Sequence, residues 1–241
     1  MSLTAGMAGR ATRSPFSRIV STAVAAGLLA GLALTAVQTV QVAPIILQAE
    51  TYEHAAPVAH AHADAAAHEH HHDHAAWKPE DGVERTLYTV LANVTMGVAC
   101  GLLLCAAFTV AGARPTWRQG LLWSAACYAA FFVAPSLGLP PELPGTSAAP
   151  LGQRQLWWAL TALSSAAGLA LMAFGRGALR FVGGLVLLAA PQLIGAPQPL
   201  VHTRAAPDEL AHAFVIASAL ANAAFWLVLG WLTAFFFKKF E

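Results

Sequence analysis

The stretch IVSTAVAAGLLAGLALTAVQTVQVAPIIL, residues 19–47, contains no charged side chain and consists largely of Ala, Val and Leu. A helix needs about 20 mostly apolar residues to cross the hydrocarbon core of a bilayer. Because lipid offers the backbone no hydrogen-bond partner, a segment that crosses it must be helical. The stretch therefore predicts a transmembrane helix near the start of the chain.

The rest of the chain has the same character. Of its 241 residues, 57% are hydrophobic and only 10% are charged, whereas about a quarter of the residues of a soluble domain are charged. Five more apolar segments follow: Thr86–Ala113, Gln119–Leu137, Gln155–Phe174, Phe181–Ala196 and Leu210–Phe237. We expect an all-α, polytopic transmembrane helix bundle of about six spans, or five if the short fifth segment does not cross.

The distribution of basic residues predicts the orientation, because cytoplasmic loops carry an excess of Lys and Arg. With the N-terminus in the cytoplasm, nine of the thirteen basic residues are inside: Arg10, Arg13, Arg18, Arg114, Arg118, Arg176, Arg180, Lys238 and Lys239. The other four are outside: Lys78, Arg85, Arg154 and Arg204. The arginines before residue 19 also allow a signal peptide as the alternative for the first span.

This orientation gives the domain organisation. We expect a cytoplasmic tail over residues 1–18, a first transmembrane helix over 19–47, an extracytoplasmic loop over 48–85, and a transmembrane bundle over 86–241 with outward loops near 138–154 and 197–209. Each outward-running helix carries Ala-Pro near its end, at Pro44, Pro135 and Pro191. This repeat predicts three related helical hairpins, with chance similarity as the alternative in a chain rich in Ala and Pro.

Those prolines also predict local structure. Proline lacks an amide donor and clashes with the carbonyl one turn earlier, so each helix should kink or unwind near its outer end. Unwound backbone within a membrane must be buried in protein or line an aqueous cavity. The helix ends therefore form either an outward vestibule or ordinary helix ends without a lumen.

The extracytoplasmic loop is rich in histidine: eight of the ten histidines lie between Glu50 and Glu84. Neutral imidazole is the commonest ligand for borderline divalent metals, and carboxylates add oxygen donors. The candidate ligands here are His54, His60, His62, His68, Glu69, His70, His71, His72, Asp73 and His74. Their spacing is not that of a structural zinc site, so the loop is expected to capture and concentrate metal. The alternatives are pH sensing by imidazole protonation and a solvated linker.

A second candidate site lies where the sixth span begins. Asp208, Glu209 and His212 are spaced so that on a helix all three share one face. A Glu-x-x-His pair on such a face ligates divalent metals in helix bundles, and His202 in the preceding loop is a further candidate ligand. The alternative is that the two carboxylates interact with the helix dipole while His212 is a bystander.

Several function classes are disfavoured. A phosphate-binding loop needs Gly-Lys, and none of the three lysines follows a glycine. The chain has no Ser/His/Asp pattern and no basic tract suited to nucleic acid. We therefore expect no enzymatic activity, no tightly bound cofactor and no nucleic-acid partner.

Three features together resemble the CbtA family of proposed cobalt transporter subunits. The first is an N-terminal span followed by an outward His-rich loop. The second is LPPELPG at residues 139–145 with RQLWW at 154–158, and the third is DELAH at 208–212. The resemblance implies a multi-pass permease for Co²⁺ in the bacterial inner membrane, with the His-rich loop in the periplasm. It also implies a small single-span partner, CbtB, and a link to cobalamin synthesis. Family members commonly have five spans, against the six expected here.

The resemblance adds Glu142 to the candidate metal ligands, with a rigid Pro-flanked turn as its alternative role. The expected function is uptake of a divalent transition metal, Co²⁺ first, by a protein whose partners are the bilayer and the ion. The alternatives are a transporter for Ni²⁺ or Zn²⁺, and a non-transporting metal or pH sensor or assembly subunit of a metal uptake system.

Overall fold

The computed structural model describes residues 14–55 and 79–241, and over these residues the regular structure is helical. The helices are α1 (Pro15–Gln41), α2 (Ala43–Ala55), α3 (Val83–Val110), α4 (Trp117–Tyr128), α5 (Ala134–Ser136), α6 (Leu151–Phe174), α7 (Leu179–Ile194) and α8 (Asp208–Lys239). A π-helical segment, Ala129–Val133, joins α4 to α5 and is called the π-turn below. The predicted all-α fold class is confirmed.

Four helices in the described part of the chain, α1, α3, α6 and α8, are long and apolar enough to cross a membrane. α7 is apolar but has only 16 residues, and it is the expected short fifth segment. α4, the π-turn and α5 form helical backbone without a break from Trp117 to Ser136, which is about 30 Å long at 1.5 Å per residue. The helical membrane bundle is confirmed, with four long spans and two shorter or interrupted segments.

The first span differs from its predicted bounds. α1 ends at Gln41, and α2 begins at Ala43 with Pro44 as its second residue, where the missing N–H removes little. The N–H of Val42 still donates to the carbonyl of Gln38 at 2.9 Å. The chain therefore remains helical to Ala55, past the predicted start of the loop at residue 48, because a proline at the start of a helix does not end it. The predicted domain boundary itself stays a prediction.

The other two Ala-Pro pairs also lie at irregular helix ends. Before Pro135, the N–H of Ala134 donates to the carbonyl of Ala129, five residues back, as a π-turn requires. Pro191 lies inside α7, which ends at Ile194 before Gly195 with φ +86°. Regular α-helix is therefore interrupted or ends within a turn of each proline, as the sequence predicts.

Glycines bring the helices into close contact. A Cβ at Gly97 of α3 would collide with the carbonyl oxygen of Gly27 on α1, and a Cβ at Gly120 of α4 would collide with that of Gly230 on α8. Small residues have this role in membranes because the lipid is as apolar as the side chains, so association depends on close packing. These contacts fix which helices are neighbours.

The helix pairing is not that of three successive hairpins. α1 packs on α3, as the first hairpin predicts, but α4 packs mainly on α8 and α7 mainly on α6. α8 also packs against α1. The predicted third hairpin is therefore not a packing unit, because α7 packs on α6, the helix before it, and not on α8. In the predicted second hairpin the π-turn and α5 contact α6, whereas α4 packs mainly on α8.

Ion pairs join different chain segments at each end of the bundle. At one end, Arg18 and Arg114 both lie 3.4 Å from the carboxylate of Glu241. At the other end, Arg85 at the start of α3 pairs with Glu50 of α2 at 2.8 Å. Residues predicted on the same membrane side are thus brought to the same end of the bundle.

Candidate metal site at the start of α8

A cleft of about 560 Å³ opens at the end of the bundle where α8 begins. Its walls come from the loop between α5 and α6, the loop between α7 and α8, and the first turns of α8. Four of the predicted ligands line it: Glu142, His202, Asp208 and His212. We call it the α8 cleft.

Backbone contacts fix the two loops to each other. Thr146 and Arg204 form an antiparallel bridge. The N–H of Ser147 donates to the carbonyl of Thr203 at 2.9 Å, and the N–H of Thr203 donates to Ser147 Oγ at 2.8 Å. These bonds hold the backbone on one side of His202, so that its position relative to the other loop is defined.

Both cleft carboxylates are paired with arginines. Arg154 Nη2 donates to Glu142 Oε2 at 2.9 Å, and these side chains are 30% and 27% exposed. Arg204 Nη1 donates to Asp208 Oδ1 in a more exposed pair. Sequence reasoning missed both partners, although Arg204 lies four residues before Asp208 and Arg154 belongs to the second family motif. A cation that enters the cleft must compete with two guanidinium groups.

Glu209 and His212, the predicted Glu-x-x-His pair, do not both line the α8 cleft. His212 lines the cleft together with Asp208, whereas Glu209 is exposed and lies outside the cleft lining. In the described part of the chain, no group of three or more His, Cys, Asp or Glu side chains comes close enough to hold a metal ion. The structure therefore collects four candidate ligands in one cleft without forming a coordination shell.

The alternative role for the two carboxylates is also compatible with the geometry. Asp208 and Glu209 both lie in the first turn of α8, where negative charge interacts favourably with the helix dipole. A dipole contact does not prevent Asp208 from binding a cation, because the carboxylate also faces the cleft. Both roles therefore remain predictions for Asp208.

α2 reaches the rim of the cleft. Its residue Glu53 packs beside Gly145: a Cβ built on Gly145 would lie 3.5 Å from Glu53 Cβ. One turn earlier, Ala49 is buried in a cluster with Leu143 and Ala206 of the two cleft loops. The last turns of α2, which precede the His-rich segment in sequence, therefore lie next to the α8 cleft.

The His-rich ligands themselves are not located. The predicted ligands outside the described residues are His60, His62, His68, Glu69, His70, His71, His72, Asp73 and His74. The backbone of His54 belongs to α2, but its side chain also lies outside the described part. Metal binding by this segment stays a prediction.

A second, smaller cleft of about 390 Å³ lies between the α1–α2 junction and the start of α3. Arg85 and Gln38 line it, and Arg85 pairs with Glu50. Deeper in the bundle, Asn93 Nδ2 donates to Gln38 Oε1 at 2.7 Å and to Thr35 Oγ1 at 3.0 Å. These polar groups satisfy one another across the α1–α3 contact, which is the usual role of amides and hydroxyls between membrane helices.

One of the comparisons with known proteins supports the family resemblance of the sequence motifs. No curated protein and no solved structure gives a significant match. The family model of CbtA, described as a probable cobalt transporter subunit, matches residues 16–238. That range begins in α1, ends in α8 and includes the whole α8 cleft. The chain belongs to the CbtA family of probable cobalt transporter subunits.

Proposed function

We propose that this protein is a permease subunit that takes up a divalent transition metal, Co²⁺ first, and that the ion enters through the α8 cleft. The family supplies the transporter class, and the apolar helices supply the membrane setting. The observation that carries the proposal is the meeting of two imidazoles and two carboxylates, from three chain segments, in one cleft at a bundle end.

Two imidazoles and two carboxylates form a donor set that suits a divalent transition metal ion. Imidazole binds late first-row metals well, and carboxylates add charge neutralisation. Arg154 and Arg204 hold the carboxylates of Glu142 and Asp208, so a cation must displace them before it can bind. At equal distance a divalent ion gains about twice the Coulomb energy of a monovalent one. The arginines therefore discriminate against Na⁺ and K⁺.

The His-rich segment is proposed to collect metal beside this entry. The last turns of α2, which precede the segment in sequence, lie next to Gly145, at the rim of the cleft. Ligands tethered near a site raise the local concentration of whatever they bind. With the basic residues of the sequence in the cytoplasm, the cleft and the His-rich segment both face the periplasm across the bacterial inner membrane.

The proposed energy source is the membrane potential, with a coupled ion or a partner ATPase as the alternatives. The chain has no phosphate-binding Gly-Lys loop. A divalent cation that enters down 100 mV gains about 4.6 kcal/mol, twice the value for one charge. A small single-span partner of the CbtB kind and a link to cobalamin synthesis complete the proposal.

One observation favours a second candidate, a non-transporting metal sensor or assembly subunit. Within the described residues no three candidate ligands converge, as a bundle that only anchors the His-rich segment would allow. Cobalt uptake by the purified protein separates the two candidates, because a sensor carries no flux.

The test is cobalt uptake into proteoliposomes with an inside-negative potential. We expect the wild type to accumulate Co²⁺. The uptake rate of the double variant His202→Ala/His212→Ala should be lower by about tenfold or more, because a loss of about 1.4 kcal/mol of ligand interaction corresponds to a factor of ten. Leu200→Ala, on the same loop but fully exposed and outside the cleft lining, is the matched control. Equal uptake by wild type and double variant would remove the cleft from the mechanism.

A further inference from the structure

Three polar atoms on one face of α6 have no hydrogen-bond partner. They are Trp157 Nε1, Thr161 Oγ1 and Ser165 Oγ. Thr161 and Ser165 are fully buried, and Trp157 is 8% exposed. Because they are four residues apart, the three side chains form a row about 12 Å long on one face of the helix. The neighbouring Ser164, in contrast, donates to the carbonyl of Leu187 at 2.6 Å.

The row starts beneath the α8 cleft. The ring of Trp157 lies against Gly138, which lines the cleft, so closely that a Cβ on Gly138 would be 2.5 Å from the ring. From there Thr161 and Ser165 continue along α6 into the membrane span. The row therefore leads from the floor of the cleft into the bundle.

α6 packs mainly against α7 and the π-turn. Phe131 of the π-turn lies 6.3 Å from the ring of Trp158, the residue after Trp157. A π-turn holds one more residue than an α-helical turn and occurs frequently at functional sites. α6 thus packs beside the π-turn near Trp158, the neighbour of Trp157.

Unpaired polar atoms are unfavourable in this setting. Hydroxyls in membrane helices usually donate to the carbonyl one turn earlier, as Thr35 does to Gly31 and Thr109 to Cys105. Thr161 and Ser165 make no such bond. Buried polar groups without a protein partner are normally satisfied by water. Three successive groups of this kind indicate a second arrangement of the bundle in which water reaches them.

We propose that the row Trp157–Thr161–Ser165 lines a water-filled passage that continues the α8 cleft into the bundle when α6 moves against the π-turn. The passage admits water and a hydrated divalent cation, and in this respect it rests on the proposed function. Its lining is neutral. Neutral hydroxyls replace water around an ion without binding it so tightly that it cannot leave. The structure described here is the closed arrangement.

The test measures water access directly. In a background with Cys100, Cys105 and Cys127 changed to alanine, Ser165→Cys is exposed in intact cells to a permanently charged methanethiosulfonate ammonium reagent. Only a thiolate reacts, and thiolates form in water and not in lipid. Gln198→Cys, in the cleft lining, is the positive control. Leu163→Cys is the negative control, because Leu163 is at the same depth but 66% exposed on the outside of the bundle.

We expect Ser165→Cys to react about ten times faster or more than Leu163→Cys. Failure of Ser165→Cys to react, while Gln198→Cys reacts, overturns the passage whether or not the protein carries cobalt. Reaction of Ser165→Cys in a protein that carries no cobalt overturns the proposed function and leaves the passage standing. Thr161→Val/Ser165→Ala gives the second readout: slower cobalt flux with unchanged cobalt binding at the cleft.

Discussion

Gln192 Nε2 donates a hydrogen bond to the carbonyl oxygen of Ala134 at 2.8 Å. Ala134 directly precedes Pro135, and Gln192 directly follows Pro191, so the bond joins two of the three Ala-Pro sites. The irregular end of the α4–α5 segment leaves this carbonyl available, and α7 supplies the donor. One side chain thereby connects the π-turn region to the α6–α7 pair.

Loss of this bond should destabilise the bundle. Gln192→Leu leaves the Ala134 carbonyl without its donor, at a cost of about 1–3 kcal/mol. For a chain of this size each kcal/mol lowers the melting temperature by about 2–4 °C. Thermal unfolding in detergent measures the change in melting temperature. Gln198→Leu is the control, because Gln198 donates only to Ala196 in its own loop, and its melting temperature should stay near that of the wild type.

The contact between α1 and α3 should not tolerate a methyl group. Gly97→Ala places a Cβ against the Gly27 carbonyl and forces the helices apart, at about 1–3 kcal/mol for overpacking. Gly152→Ala, in α6, meets nothing within 4 Å and should be neutral or stabilising. The yield and thermal stability of the two variants are compared. Equal stability of both variants would contradict the close packing of α1 on α3.

Asp208 and Glu209 should contribute differently to cobalt transport. Asp208 lines the α8 cleft and Glu209 does not. Asp208→Asn should raise the KM for cobalt about tenfold, the effect of about 1.4 kcal/mol, whereas Glu209→Gln should leave it nearly unchanged. A simple helix-dipole role predicts similar small effects for both, since both lie in the first turn. Initial uptake rates over a range of Co²⁺ concentrations decide between them.

Removal of a cleft arginine should change selectivity. Arg204→Gln frees Asp208 from its ion pair, so Co²⁺ should bind more tightly and monovalent cations should compete better. Equilibrium cobalt binding with and without excess K⁺ measures both effects. Arg118→Gln, near the opposite end of the bundle, is the control and should bind as the wild type does. Unchanged binding and K⁺ competition in Arg204→Gln would show that the ion pair does not screen the entering cation.

Deletion of residues 56–74 should reduce uptake only when cobalt is scarce. The deletion keeps α2 to Ala55 and removes all the predicted collecting ligands except His54, so most of the local concentration effect is lost while the cleft remains. Uptake at saturating cobalt should therefore match the wild type. Loss of uptake at every cobalt concentration would instead show that transport itself needs the segment, and would contradict a role limited to collecting metal.

The sequence by itself predicted the helices and which charged loops lie at the same end of the bundle. Hydrophobic length and turn chemistry are local properties, so the stretch at residues 19–47 could be assigned without its neighbours. It also named His202, Asp208 and His212, because imidazole and carboxylate at a span end are unusual enough to stand out, whereas Glu142 was added by the family resemblance.

Only the tertiary structure decided which helices are neighbours, that Arg154 and Arg204 occupy the carboxylates, and that Thr161 and Ser165 are buried without partners. The physical reason is that lipid is as apolar as the spans, so hydrophobicity places a helix in the membrane but does not choose its neighbour. That choice depends on the close fit of surfaces such as Gly97 against Gly27 and Gly120 against Gly230, which join segments far apart in the chain. The ion pairs and the buried row of α6 follow from that packing.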